Sequence, residues 1–328
     1  MTTLATGGSA AASAPVSYRS VAISYRSVVI DGVKIAYREA GTKGRPTLLM
    51  LHGVPSSSRM YDGIMQKLGD RYHLVAPDYP GFGNSDAPPP ANFSYTFDHL
   101  ADVMRKFTDA LGLARYVLFM QDYGAPVGMR LATARPAAVQ GTIFQNGNVY
   151  EEGLGAMWDK RKAFWADRAA HEPEVRRAHL SLEVTRARHI GSDPDIEAYN
   201  PDLWMDEHAY LNRPAQAEIQ ADLIYDYQNN IAAYPDWQTW LRTHRPPALI
   251  VWGKHDLAFT VAGALAFKRD IPDAKIAILD AGHFAMDTRL DEVASLTAAY
   301  MAENRASFGA AIPDASSLDN RASSREQA

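Results

Sequence analysis

Six short, largely apolar runs constrain this chain most: Thr47–Leu51, His73–Ala76, Tyr116–Met120, Val139–Phe144, Ala248–Trp252 and Lys275–Leu279. A strand with one wet face alternates apolar and polar residues, whereas a run without that alternation reads as buried on both faces. Amphipathic stretches lie between the runs. After Thr96, residues Phe97, Leu100, Val103, Met104, Phe107 and Leu111 fall at helical spacing, and Val293, Leu296, Tyr300 and Met301 repeat the pattern more briefly. Buried strands alternating with helices predict an α/β fold, with a mostly parallel, doubly wound sheet covered on both faces. A hairpin precedes it: an alternating edge strand runs into Ile30, Asp31-Gly32 makes the turn, and Val33 to Arg38 returns.

The alternation stops between residues 149 and 245. That interval is rich in Trp, Tyr, His and charge, and has helical stretches but no buried-strand run. It reads as a helical cap inserted into a core made of 23–148 and 246–305. Residues 1–22 are expected to be a disordered leader rather than a signal peptide, because the first fifteen, through Pro15, hold no basic residue and no continuous apolar stretch. Residues 306–328, rich in Ser, Asp, Arg and Ala, are expected to be a disordered tail. A chain of 328 residues, 47% hydrophobic, suffices for one domain with such an insertion. A net charge of −5 offers no basic patch for nucleic acid, and no run approaches the roughly 20 apolar residues that span a bilayer. The absence of cysteine excludes disulfides, thiolate metal sites and a cysteine nucleophile, and suits a reducing cytoplasm. The expected partners are a small apolar substrate and, at most, a second copy of the chain in a homodimer.

Three features sit where parallel strands should end, the place where open α/β sheets put their sites. Leu49-Met50-Leu51 runs into His52-Gly53-Val54-Pro55, where a glycine lets the backbone turn sharply and aim an N–H into a pocket. Val117 to Gln121 runs into Asp122-Tyr123-Gly124, a nucleophile elbow with Asp in the nucleophile's place. Asp256 follows Leu249–Trp252, and His283 follows Ile276–Leu279. Singly, an Asp after a strand is most often a helix cap or turn residue. All three in the order nucleophile, acid, histidine point to catalysis. Together with Asp78-Tyr79-Pro80-Gly81-Phe82-Gly83-Asn84-Ser85-Asp86, these segments resemble the epoxide hydrolase and haloalkane dehalogenase branch of the α/β-hydrolases, over Tyr25 to Asn304.

A carboxylate nucleophile has a chemical reason. Serine attacking a saturated carbon would form an ether that water does not cleave, whereas Asp122 would form an ester that activated water hydrolyses. His283 would be the base for that water, Asp256 would hold its imidazole, and the N–H groups of Val54 and Tyr123 would form the oxyanion hole. Asp78 reads as a turn residue rather than a rival acid. Asn146 and Asn148 stand where some relatives keep an acid, a charge that amides do not supply.

The leaving group divides two substrate classes. An epoxide oxygen needs a proton donor, and Tyr225-Asp226-Tyr227 resembles the epoxide hydrolase segment carrying one, which makes Tyr227 the expected acid. His189 falls near the expected second donor. Halide is commonly held by a Trp after the nucleophile, but here Tyr123 follows Asp122. A small haloacid is not expected, because Tyr123 and Pro126 stand at the elbow where relatives that hold a carboxylate carry arginines. Trp158 and Trp165 are candidate pocket linings. Neither a metal cluster nor a phosphate-cradling loop is present, so no metal and no cofactor are expected. The chain is therefore expected to be a cofactor-independent epoxide hydrolase-like enzyme. Alkyl-halide hydrolysis and non-catalytic ligand binding are the alternatives.

Overall fold

The structure, a computed structural model, describes residues 21–308, so the expected leader up to residue 20 and the tail beyond 308 lie outside the described residues. The strands are β1 (Ile23–Ile30), β2 (Val33–Ala40), β3 (Thr47–Leu51), β4 (His73–Pro77), β5 (Tyr116–Gln121), β6 (Val139–Gln145), β7 (Ala248–Gly253) and β8 (Lys275–Leu279). They form one sheet in the order β1-β2-β4-β3-β5-β6-β7-β8. β1 pairs antiparallel with β2, and β2 with β4; all later pairings are parallel. The β1–β2 turn places Asp31 and Gly32 at φ 48° and 80°, the left-handed pair that an Asp-Gly hairpin turn requires.

Every residue of β3, β4, β5 and β7 is buried, which accounts for their unbroken apolar runs. Period-two geometry divides each strand between two cores. Leu48 and Met50 pack with α1 (Asp62–Leu68) and α10 (Met286–Glu303). Leu49 and Leu51 pack with α2 (Phe97–Ala110) and α3 (Gly124–Ala134) on the other face. Strand β8 departs from the expectation: it is the sheet edge, paired only with β7, and Lys275 and Ile278 are exposed. The α2 helix starts where its spacing predicts, with the Thr96 hydroxyl accepting from the His99 N–H at 3.2 Å.

Between β6 and β7 lie α4 (Trp158–Ala166), α5 (Arg168–His179), α6 (Leu182–Ile190), α7 (Asp202–Leu211) and the 29-residue α8 (Gln216–His244). The start of α8 packs on the cap helices α4 and α5. Further along, it meets α2, α3 and α9 (Val261–Asp270), and Pro235 lies within it. Among the bonds that fasten it to the sheet domain, Asp226 accepts from the Phe97 N–H and Arg130 donates to Asn230, each at 2.7 Å. At the C-terminus the described chain continues past 305, because Phe308 covers Tyr300 and is itself buried. Among the described residues, no helix is long and apolar enough to cross a membrane.

Candidate active site

The carboxyl ends of β3, β5 and β7 and the loop after β8 deliver Val54, Asp122, Asp256 and His283 to one cavity of about 160 Å³. Asp122 sits at φ 48°, a left-handed conformation that costs a non-glycine residue roughly 1–3 kcal/mol and lifts its side chain out of the strand-to-helix turn. Two glycines make that turn possible. A Cβ on Gly124 would stand 2.1 Å from the Leu51 carbonyl oxygen, and one on Gly53 would stand 2.3 Å from Asp122 Cβ.

The two carboxylate oxygens of Asp122 have different surroundings. Oδ1 accepts from the Val54 N–H at 2.9 Å, and the Tyr123 N–H also bonds the carboxylate. Oδ2 lies 3.5 Å from His283 Nε2. His283 Nδ1 lies 2.6 Å from Oδ2 of Asp256. That oxygen also accepts from Asn146 Nδ2 at 2.8 Å, while Asp256 Oδ1 accepts from the Ala258 N–H at 2.7 Å. Burial pushes the Asp122 carboxyl up, but His283 and the two backbone donors outweigh it and hold it below its usual value. Burial pushes the His283 imidazole down, yet Asp256 and Asp122 together raise it to about 10.

The resting site is therefore an imidazolium between two carboxylates. If Asp122 is esterified its charge disappears, one of the two groups holding the proton on His283 is gone, and the imidazole becomes able to act as a base. Gln121 Nε2 stands 2.9 Å from His283 Nε2, and its Oε1 has no partner. Turned end for end, that amide would accept from the imidazolium. Sequence reasoning missed Gln121 as a site residue, and it read Asn146 only as an amide without the charge some relatives keep there. Asn146 had one visible signal, an amide at a strand end; its φ of 44° turns it toward Asp256.

The cap residues are placed differently from expectation. Tyr227 is buried, its ring 4.6 Å from Trp158 and 5.9 Å from Tyr123 between centroids, and it does not line the cavity. Its hydroxyl has no hydrogen bond of ordinary length, with the Tyr234 hydroxyl as a polar neighbour. The indole N–H of Trp158 donates to the Ala258 carbonyl and that of Trp165 to the Ile224 carbonyl, each at 2.8 Å, and neither ring lines the cavity. His189 lies outside the cavity as well. It is buried between Glu207 and Asp287, 2.7 Å from each, and the two carboxylates raise it to about 9 against the effect of burial. The cap instead contributes Met157, Arg161, Val184 and Arg188 to the wall. His52 is a buried scaffold: Nδ1 lies 2.9 Å from the Gly53 carbonyl and Nε2 accepts from the Tyr79 N–H, a neutral tautomer that burial favours. Asp78 accepts from the Ser58 and Asn84 N–H groups and holds the neighbouring loops.

Known proteins share this architecture. A family model of the alpha/beta hydrolase fold matches residues 46–290. An uncharacterized hydrolase of Saccharomyces cerevisiae is 39% identical over 281 residues, covering 84% of this chain and 96% of its own. Haloalkane dehalogenase 2 of Mycobacterium bovis is 31% identical over 272 residues, covering 80% and 89%. The solved structure of the epoxide hydrolase CorEH superposes with a TM-score of 0.69 at 16% identity, over 86% of this chain and 99% of that one, a likeness of fold. The chain therefore belongs to the α/β-hydrolase superfamily and is a hydrolase of its epoxide hydrolase and haloalkane dehalogenase branch.

Proposed function

We propose that this hydrolase opens an epoxide to a vicinal diol through an alkyl ester on Asp122. One observation carries the reading: Asp122 stands on the elbow with Oδ1 pinned by backbone donors and Oδ2 facing His283. A lone pair on Oδ2 displaces the ring oxygen from a saturated carbon, so one C–O bond forms as another breaks. The departing oxygen takes a proton from a tyrosine hydroxyl, for which Tyr227, beside Tyr123 behind the cavity wall, is the candidate once its hydroxyl is brought into the cavity. Burial raises its pKa well above the ordinary phenol value, which keeps it a proton carrier at neutral pH. With Asp122 esterified, the tyrosinate takes back a proton from the His283 imidazolium and leaves a neutral imidazole. Water then attacks the ester carbonyl and gives a proton to His283, while Val54 and Tyr123 hold the oxyanion, each donor contributing on the order of 3 kcal/mol. Collapse of the tetrahedral intermediate regenerates the Asp122 carboxylate, frees the diol and leaves His283 protonated as at the start.

A second reading, displacement of halide from an alkyl halide, is favoured by the dehalogenase relative at 31% identity. It is weakened by the indole N–H groups of Trp158 and Trp165, which are already bonded to backbone carbonyls. Intact-mass measurement on H283Q after incubation with an epoxide or the matched bromide tests both readings. An adduct from the epoxide supports the first; an adduct from bromide alone, with free halide, supports the second; an adduct from neither refutes Asp122 as an alkyl acceptor. Tyr227→Phe should slow epoxide alkylation more than bromide alkylation, and equal slowing removes Tyr227 as the acid.

A further inference from the structure

Two arginines face the nucleophile from the cap. Arg161 on α4 and Arg188 on α6 line the cavity that holds Asp122 and His283. They also line an adjoining cavity of about 380 Å³, so both stand on the wall between the two spaces. Among the described residues, neither makes an ion pair with a carboxylate. Arg161 lies over the Trp158 ring, 4.3 Å from its centroid, which fixes its position without using its N–H donors. Arg188 reaches His179 through Nη2 at 2.6 Å, while its Nη1 is buried with no partner at all. Burial and the nearby Arg161 charge bring Arg188 down to about 10. Two adjacent guanidinium groups with a buried donor to spare are an arrangement that a bound anion relieves.

Asp122 is not that anion, because its carboxylate is held by Val54, Tyr123 and His283. We propose that the substrate carries a carboxylate, seated between the guanidinium groups of Arg161 and Arg188, with the electrophilic carbon beside it facing Oδ2 of Asp122. The planar fork of arginine matches a carboxylate, and the two positive charges offset the repulsion an anion meets on approaching the Asp122 carboxylate. The inference rests on the displacement chemistry proposed for Asp122 and adds the substrate class. The bonds made and broken are those given above, and the carboxylate of the substrate passes unchanged into the product.

Pairs of substrates that differ only in carboxylate against methyl test it: 2,3-epoxybutanoate against 2,3-epoxybutane, and 2-bromopropanoate against 2-bromopropane. For the wild-type enzyme kcat/KM should favour the carboxylate member by about 100-fold, and in Arg188→Met that ratio should collapse, mainly through KM. The ratio is its own control for partial misfolding, and Arg161→Met provides a second variant. A preference for the neutral member, or a ratio unchanged in both variants, overturns the proposal while leaving the Asp122 mechanism intact. If neither pair is turned over, the mechanism fails, and calorimetric titration with sodium butanoate decides the carboxylate site alone. Binding to wild type that Arg188→Met loses supports it; no binding to wild type, or binding of sodium bromide instead, overturns it.

Discussion

His189→Gln removes the cation that sits between two buried carboxylates and ties the cap to the sheet domain. His189 and Glu207 lie on the cap helices α6 and α7, whereas Asp287 begins α10 beneath the sheet. A rise from 6.5 to about 9 corresponds to about 3 kcal/mol of stabilisation by the charged form. Both carboxylates and the imidazole are nearly or fully buried, so solvent screening removes little of it. Because the folded value is the higher one, this stability is complete below pH 6.5 and is lost as pH rises through about 9. Glutamine keeps one donor but not the charge. Chemical unfolding of wild type and H189Q between pH 6 and pH 10 should therefore show a gap of about 3 kcal/mol at the acid end that shrinks toward pH 10. A gap that does not change with pH would show that the charge is not what holds the two parts, and the reasoning would fall.

Three further outcomes concern the site. Asn146→Leu should lose the donor on Asp256 Oδ2 and slow ester hydrolysis about tenfold, with alkyl-enzyme accumulating in a quenched-flow mass experiment. Gly53→Ala should lower kcat by about 100-fold or more, because the added carbon must push Asp122 off line; circular dichroism checks that the fold persists. Decay of the alkyl-enzyme in single-turnover experiments should rise with pH around a midpoint below the resting His283 value of about 10, since esterification removes the Asp122 charge. A midpoint at or above 10 would show that Asp122 does not set the proton affinity of His283.

The sheet and the elbow were legible because the signals are local. Uninterrupted apolar runs such as Tyr116–Met120 report burial on both faces, and a strand ending in Asp122-Tyr123-Gly124 is read within a few residues. Strand β8 read like its neighbours because Ile276 to Leu279 are apolar, although among the described residues nothing pairs with its outer edge. Cap roles were not legible, because they depend on partners far away in sequence. His189 finds Glu207 18 residues on and Asp287 98 residues on, which turns an expected pocket residue into a buried clamp. Trp158 and Trp165 suggested a pocket by composition, but their donors close on carbonyls at 258 and 224. Nothing in the sequence sets Arg161 and Arg188 apart from the other charges of the cap. Only the folding of the cap brings α4 and α6 together and sets both beside Asp122.

A rod of 29 residues is about 44 Å long, and α8 reaches from the cap near Asp122 down to the flank of the sheet. Lifting the cap thus means swinging this rod or bending it. Pro235 marks where a bend costs least, since it donates no hydrogen to the turn before it, and the Thr239 hydroxyl already reaches back to its carbonyl at 2.8 Å. Tyr227 lies between Asp226 and Asn230, which hold α8 to Phe97 and Arg130, so a bend at Pro235 moves the tyrosine relative to Asp122 only if those two bonds break first.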